Sequence, residues 1–338
     1  MRHARPLALA VAVVAAACGT APTAGTIDAT ASDAGAPVDL DATAGEPDAT
    51  ASDAAAPVVI DPTGIPPAAA LYTTDRVRHD VRAIGEVLDA ALAPSVTSVI
   101  LYVHGRGCGG GGEPQKSLDG ALPDLERDYG GRAVMLFWPG SDDACPLGFP
   151  EARARAAGPA LAVVMGDLAA YAASHPARVA GVRFTLITHS MGSLVLERAV
   201  TVGGVAQLPP VFDTVIVNSA ASAAPGHAAW VGAVGVGRAR YVTVNGGDDV
   251  LAAAGVGRAT RLGRSIDGVG LAAGVDYVDF TASGVDHAYY LIGGQHGAGM
   301  TAFYRAVMTG RAYDLAHAPG IASHTQRDGA RVHVFDGT

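Results

Sequence analysis

The feature that most constrains the fold is a strand that runs directly into a helix, in the segment RFTLITHSMGSLVLERAV at 183–200. Residues 184–188 are apolar and β-branched, which is the composition of a buried strand. Residues 191–200 carry apolar side chains at helical spacing. Ser190 lies at the corner between them, a position that suits either an unreactive loop serine or a nucleophilic one. A strand followed at once by a helix is the building unit of a parallel sheet.

The same alternation continues along most of the chain and predicts an α/β fold, with a mostly parallel central sheet and helices on both faces. Three polar segments lie at the carboxyl ends of predicted strands, at 104–107, at Ser190 and at 246–249, and active residues of such sheets gather at these ends. The further predicted strands are 95–105, 132–140, 212–220, 239–249 and 274–282. The predicted helices are 78–92, 116–130 with a break near Pro123, 150–176 with a kink at Pro159, and 297–310.

Residues 1–18 have the pattern of an export signal. Arg2 and Arg5 precede an apolar stretch, and small residues precede Cys18. A cysteine in this position resembles the bacterial lipobox, so Cys18 is the predicted lipidation site and an ordinary secretory signal is the alternative. The resemblance implies a lipid-anchored protein of the cell envelope. Because Gly19 rather than aspartate follows the cysteine, we expect the outer membrane, on its periplasmic or surface side.

The next segment, 19–66, is predicted to be a disordered linker between the membrane and a folded domain. It carries eight carboxylates and no basic residue up to position 61, and a short polar motif occurs in it twice. These carboxylates account for most of the net charge of −9 and leave about −3 for residues 62–338, so no basic face indicates nucleic-acid binding. We expect the folded domain at 67–312 and a C-terminal tail at 313–338.

The corner at Ser190 has several features of a nucleophile elbow. A serine hydroxyl needs exposure, a base within reach and donors for an oxyanion, and a sharp strand-to-helix turn provides the exposure. Such a turn requires small residues on both sides, which Gly192 satisfies, whereas Thr188 replaces the usual glycine. The predicted oxyanion donors are the backbone N–H groups of Met191, at the start of the helix, and Arg106, after the first core strand.

Four motifs in order resemble the α/β-hydrolase superfamily, most closely a bacterial esterase- and lipase-like branch. They are VILYVHGRG, AVMLFWPG, LITHSMGS and YVTVNGGDDVL, within residues 80–300. The resemblance implies the α/β-hydrolase fold and a Ser-Asp-His triad in that chain order. It also implies a serine hydrolase of the carboxylesterase or lipase type, acting on a small-molecule or lipid ester through an acyl-enzyme, without a cofactor.

The resemblance assigns the acid and the base with one alternative each. Asp248 matches the acid position and the adjacent Asp249 is the alternative, although either could instead be a helix N-cap. His287 matches the base position and His296 is the alternative.

Four other histidines are assigned no chemical role. His104 is expected to shape the oxyanion loop. His189 is expected to point away from Ser190, because side chains alternate along a strand, and to be structural. His324 and His333 lie in the predicted tail.

The sequence gives less support to other classes of function. The segment GRGCGG at 105–110 fits a dinucleotide-binding pattern, but glycines 109–112 and Pro114 delay the helix that such a site requires. No Cys/His cluster or H-E-x-x-H motif indicates a metal site. A catalytically inactive binding lipoprotein is the remaining alternative, and the presence of all three triad residue types favours the enzyme.

Cys108 and Cys145 are predicted to form a disulfide. An exported chain meets an oxidising compartment, where paired thiols are usually bridged. Each cysteine follows a strand of the predicted parallel sheet, so both loops emerge at the same edge. The bridge would fix the glycine-rich loop next to Ser190.

Overall fold

Ten strands form one sheet in the part of the chain that the computed structural model describes, residues 64–106, 115–140, 149–291 and 296–336. Their order across the sheet is β2-β1-β4-β3-β5-β6-β7-β8-β10-β9. In chain order the strands are β1 Ala70–Thr73, β2 Arg78–His79, β3 Ser98–Val103, β4 Arg132–Phe137, β5 Arg183–His189, β6 Thr214–Asn218, β7 Ala239–Val244, β8 Asp276–Asp279, β9 Ile321–Arg327 and β10 Ala330–Phe335.

The centre of the sheet is parallel, as predicted. The strands from β4 through β3, β5, β6, β7 and β8 to β10 all run in the same direction. Antiparallel pairing is confined to the two sides, where β1 pairs with β4 and β2, and β9 pairs with β10. The carboxyl ends of the parallel strands therefore lie along one edge, which we call the carboxyl edge.

Helices cover both faces of the sheet because the central strands are apolar on both sides. Val99, Leu101 and Val103 of β3 belong to one core cluster, whereas Ile100 and Tyr102 of the same strand belong to the other. The first cluster also contains buried residues of α1, α5 and α7, and the second contains those of α3 and α10. The helices are α1 Ile84–Ala91, α2 Gln115–Asp119, α3 Ala121–Tyr129, α4 Glu151–Ala156, α5 Gly158–Ser174, α6 Pro176–Val179, α7 Gly192–Val202, α8 His227–Ala233, α9 Asp249–Gly255 and α10 Ala298–Val307, with 3-10 turns at Val205–Gln207 and Thr281–Ser283.

The predicted helices are present, but the first is shorter than expected and two others divide at other residues than expected. Of the predicted helix 78–92 only Ile84–Ala91 is helical, because Arg78–His79 pairs with β1 and forms β2 instead. The segment 116–130 breaks at Gly120, between α2 and α3, and Pro123 lies inside the first turn of α3. A proline is tolerated there because the first N–H groups of a helix have no intrahelical acceptor. The long helical stretch is interrupted at Ala157, and Pro159 again lies in the first turn of the second piece. The short elements β1, β2, α6, α8 and α9 were not predicted.

The C-terminal segment differs from the predicted tail. Residues 321–327 and 330–335 form β9 and β10, and β10 pairs in parallel with β8. His333 in β10 is buried and its Nε2 lies 2.9 Å from Asp276 Oδ1, while Arg331 makes two hydrogen bonds to the same carboxylate. The polar sequence of β9 gave no strand signal because that strand lies at the edge of the sheet, with most of its side chains exposed.

One helical stretch of the described residues, Glu151–Ser174, has the length and mean hydropathy (1.4) of a membrane-spanning helix. Within the protein 61% of its apolar window is buried, and α5 contributes residues such as Leu161 and Val164 to the core. A core helix passes the same test of length and composition, so this stretch is weak evidence for a membrane span.

Candidate active site

Ser190 occupies a strained turn between β5 and α7. Its φ is +52°, a left-handed conformation that non-glycine residues rarely adopt. Backbone hydrogen bonds hold the turn, because the Ser190 N–H donates to Asn218 O at 3.0 Å and the Ser190 carbonyl accepts from the N–H groups of Ser193 and Ala221. The surrounding chain thus determines the strained conformation, as is usual at functional sites.

The turn is closely packed on the side of Gly192. A Cβ at this position would lie 2.4 Å from the carbonyl oxygen of Val103 and 2.9 Å from that of His104. Both atoms belong to the backbone at the end of β3, so neither can move aside easily. Thr188, which replaces the usual glycine on the other side, fits in β5, but its buried hydroxyl has no hydrogen-bond partner among the described residues.

Asp248 and His287 form a direct hydrogen bond at the carboxyl edge. The His287 Nδ1 lies 2.6 Å from Asp248 Oδ2, and the Asp248 side chain is completely buried. Asp248 also caps α9, because its Oδ1 accepts from the N–H of Leu251 at 2.9 Å. Asp248 therefore caps the helix with one carboxylate oxygen and binds His287 with the other. With Nδ1–H donating to the carboxylate, Nε2 of His287 is the nitrogen free to accept a proton.

His189 lies beside His287, a contact that strand alternation does not predict. The two ring centroids are 4.8 Å apart, and His189 Nε2 donates to the His287 carbonyl oxygen at 3.2 Å. Strand alternation fixes the face on which a side chain lies but not the loop that covers that face. Burial lowers the pKa of His189 well below its usual value, and the neighbouring His287 lowers this pKa further, so His189 is neutral near pH 7.

The Ser190 hydroxyl makes no hydrogen bond to any described residue, His287 included. Ser190 and His287 are linked through His189, which is covalently next to the serine and in ring contact with the histidine. Hydrogen bonds between catalytic groups are often long before substrate binds and tighten in the complex. The arrangement therefore brings together an acid and a base, with a strained serine adjacent to their site.

The loop after β3 lies directly against the serine. A Cβ at Gly105 would lie 2.9 Å from Ser190 Cβ. The backbone N–H of Trp138 donates to His104 Nε2 at 3.1 Å, so Nδ1 of His104 carries the proton and donates to the Gly105 carbonyl at 2.6 Å. Because the N–H of a trans peptide points opposite to its carbonyl, this bond turns the Arg106 N–H away from His104. The predicted role of His104 in shaping this loop agrees with that geometry.

The second predicted donor, the Met191 N–H, belongs to the residue that precedes the first turn of α7. N–H groups at a helix N-terminus have no intrahelical acceptor and carry partial positive charge, so they are suited to an oxyanion.

Asp249 and His296, the alternatives for the acid and the base, take no part in the Asp248–His287 hydrogen bond. Asp249 is exposed at the start of α9, whereas its neighbour Asp248 is buried against the base. His296 Nε2 lies 2.9 Å from the carbonyl oxygen of Leu291, and this histidine has no carboxylate partner among the described residues.

Three polar residues at this edge were missed by sequence reasoning. Asn218, Ser219 and Asn245 follow or end β6 and β7, and their side chains bond to one another or to the segment around His287. The signal was available, because the apolar strands VIVNSA and VTVNGG both end in polar residues at the carboxyl edge.

The remaining predicted site residues, Cys18, Cys108 and Cys145, lie outside the described residues, as do the signal and most of the linker. Among the residues that are described, no group of three or more His, Cys, Asp or Glu side chains could hold a metal ion.

The order of the site residues along the sheet identifies the architecture. Ser190 follows β5, Asp248 follows β7, and His287 follows β8, so that serine, acid and histidine occur in this order along the chain. The serine occupies a strand-to-helix turn at the carboxyl edge. This is an α/β-hydrolase fold.

Comparison with known proteins adds solved structures of low similarity. No family model matches the chain, and no curated protein matches it. Carboxyl esterase 2 from the fungus Tuber melanosporum is 12% identical with a TM-score of 0.38, over 64% of this chain and 78% of that one. An esterase from Pyrobaculum calidifontis is 14% identical (TM-score 0.34, 63% and 76%), and the carboxylesterase EstE1 from a metagenomic library is 12% identical (TM-score 0.35, 69% and 96%). Likeness at this level carries no information on the reaction, which has to be inferred from the site itself.

Proposed function

We propose that the protein is a serine hydrolase that cleaves a carboxylic ester or a related acyl bond. The observation that carries the proposal is the 2.6 Å hydrogen bond between the buried Asp248 carboxylate and His287, next to a serine held at φ +52°. A strained serine, a carboxylate and an imidazole in this chain order have the chemistry of nucleophilic acyl transfer.

The proposed reaction has two halves. Ser190 Oγ attacks the acyl carbon while His287 Nε2 takes its proton, and Asp248 holds the imidazole in the required tautomer and stabilises its charged form. The N–H groups of Met191 and Arg106 stabilise the oxyanion. His287 then gives its proton to the leaving alcohol, which departs and leaves an acyl-Ser190 ester. Water, activated by the same histidine, hydrolyses that ester and regenerates the serine.

A fluorophosphonate probe tests the proposal, because it labels only an activated serine. Wild type should be labelled and should hydrolyse p-nitrophenyl esters, and Ser190→Ala should lose both properties while its circular dichroism spectrum stays unchanged. A wild-type protein that is neither labelled nor active would instead support the alternative, a binding protein that retains the fold without the chemistry. Labelled Ser190→Ala would transfer the role to another serine.

We also propose that the domain is exported and attached to the cell envelope through a lipid on Cys18. Support for this comes from the sequence alone, from the basic residues, the apolar stretch and the small residues that precede the cysteine. Membrane fractionation of wild type and Cys18→Ala tests it. Wild type should sediment with the outer membrane and Cys18→Ala should be soluble, and equal partitioning of the two would contradict the anchor.

A further inference from the structure

The segment that carries His287 is held by side chains rather than by regular secondary structure. Residues 285–291 form neither a strand nor a helix. The His287 carbonyl accepts hydrogen bonds from Ser219 Oγ at 2.9 Å and from His189 Nε2 at 3.2 Å. Two residues earlier, the Val285 carbonyl accepts from Asn245 Nδ2 at 2.9 Å. Side chains at the ends of β5, β6 and β7 therefore fix the backbone of the proposed base.

The hydroxyl of Ser219 donates to the His287 carbonyl because a neighbouring side chain already donates to its oxygen. Tyr304 OH donates to Asn218 Oδ1 at 2.6 Å, and Asn218 Nδ2 donates to Ser219 Oγ at 2.9 Å. The Ser219 oxygen is thus an acceptor on one side, and its single proton is left for the His287 carbonyl. Buried networks in which every donor meets an acceptor are rigid, so the orientation of this proton is fixed before any substrate binds.

The backbone of Ser219 is strained in the same way as that of Ser190. Its φ is +45°, and the two serines follow paired residues of adjacent strands, since His189 of β5 pairs with Asn218 of β6. Strain of this kind persists where the surroundings determine it, and it concentrates at functional sites. Ser219 is completely buried and its proton is already donated, so it is not itself placed to attack a substrate.

We infer that Ser219 is a positioning residue for His287, which it orients by holding the carbonyl of that residue. The inference rests on the proposed function, in which His287 is the general base. Asp248 fixes the Nδ1 side of the imidazole, and Ser219 fixes the backbone from which the side chain projects. Both constraints are needed to aim Nε2 at Ser190, because an imidazole attached to a mobile loop would lose its alignment.

The test compares two serine-to-alanine substitutions in the full chain. Ser219→Ala removes the donor, whereas Ser222→Ala removes a buried hydroxyl that has no partner among the described residues. We expect Ser219→Ala to slow fluorophosphonate labelling and ester turnover by about 10- to 100-fold, with kcat reduced more than KM changes, and Ser222→Ala to stay near wild type. Ser219→Gly loses the same donor but relieves the positive φ, so it decides the question if the alanine variant does not fold.

A double-mutant cycle separates positioning from general destabilisation. In the His287→Ala background, Ser219→Ala should cause no further loss of rate, because the group through which it acts is already absent. A full additional loss, or equal rates for Ser219→Gly and wild type, would overturn the inference.

A second readout does not depend on activity. The proton on His287 Nδ1 should give a low-field resonance in wild type that moves or broadens in Ser219→Ala and Ser219→Gly but not in Ser222→Ala. If wild type is inactive but this resonance responds as described, the proposed function fails and the positioning of His287 by Ser219 stands. An unchanged resonance in the Ser219 variants overturns the positioning role, whatever the activity.

Discussion

Asp248 makes two hydrogen bonds with different consequences, and the substitution Asp248→Asn separates them. Its Oδ1 caps α9 through the Leu251 N–H at 2.9 Å, and its Oδ2 binds His287 Nδ1 at 2.6 Å. Asparagine is as good an N-cap as aspartate, so the first bond is retained. Its amide N–H₂ then faces Nδ1, which can no longer donate, and the imidazole changes tautomer. The proton moves to Nε2, the nitrogen that has to accept from Ser190.

The effects on kcat and on the free energy of unfolding distinguish the helix cap from the bond to His287. We expect Asp248→Asn to reduce kcat by about 10⁴-fold, the size of effect seen when a triad acid is replaced in this way. Its free energy of unfolding should stay within about 0.5 kcal/mol of wild type, since a cap of equal quality remains. Asp248→Ala should lose about 1 kcal/mol from the missing cap and roughly 1 kcal/mol more from the unpaired imidazole N–H, with a similar loss of rate.

Urea denaturation followed by circular dichroism gives the stabilities, and p-nitrophenyl ester turnover gives the rates. Asp249→Asn is the matched control, because it makes the same chemical change at the exposed neighbour. It should leave both quantities near wild type. If Asp248→Asn kept its turnover while Asp249→Asn lost it, the acid role would belong to Asp249. An Asp248→Asn variant as unstable as Asp248→Ala would show that the capping argument is mistaken.

Three further outcomes are expected. Gly192→Ala should lower the free energy of unfolding by roughly 1–3 kcal/mol in urea, because its Cβ would lie 2.4 Å from a backbone oxygen. Gly270→Ala, where a Cβ meets nothing within 4 Å, should have no such effect, and equal losses would contradict the packing argument. His287→Ala should reduce ester turnover and fluorophosphonate labelling to a small residual rate, whereas His296→Ala should retain most of both, and the reverse ranking would assign the base role to His296. Burial lowers the pKa of His227 below the usual value of about 6.5, so below about pH 6.5 the unfolded chain binds a proton that the folded protein does not. The free energy of unfolding should therefore fall as pH drops through this range. Its dependence on pH should be shallower in His227→Gln, and identical dependences in the two proteins would show that His227 does not cause it.

The local pattern of the sequence was sufficient to predict the central architecture. Strands such as 98–103 are apolar on both faces, and this composition is stable only when helices cover both sides of a parallel sheet. The turn at Ser190 could also be predicted, because a strand that is followed by a helix without a linker must turn sharply at the residue between them. The breaks in the long helical stretches were placed less well, since proline in a first turn does not disturb a helix.

The choice between neighbouring residues of the same type needed the tertiary structure. Asp248 and Asp249 are adjacent and chemically identical, and only the fold shows which of them is buried against a histidine 39 residues further along the chain. The contact of His189 with His287 is likewise invisible in the sequence, because a loop distant in the chain covers the end of β5.

The C-terminal strands, and the side chains that hold the His287 segment, could not be predicted from the sequence either. The segment IASHTQR carries no apolar alternation, and it is a strand only because β10 supplies its hydrogen-bond partners. Ser219 and Asn245 look like ordinary turn residues until the carbonyls that they bind are known. Periodicity and motifs record what each segment buries, and they therefore determine the layers of this protein. Hydrogen bonds between distant segments determine which side chains meet, and these depend on how the layers are assembled.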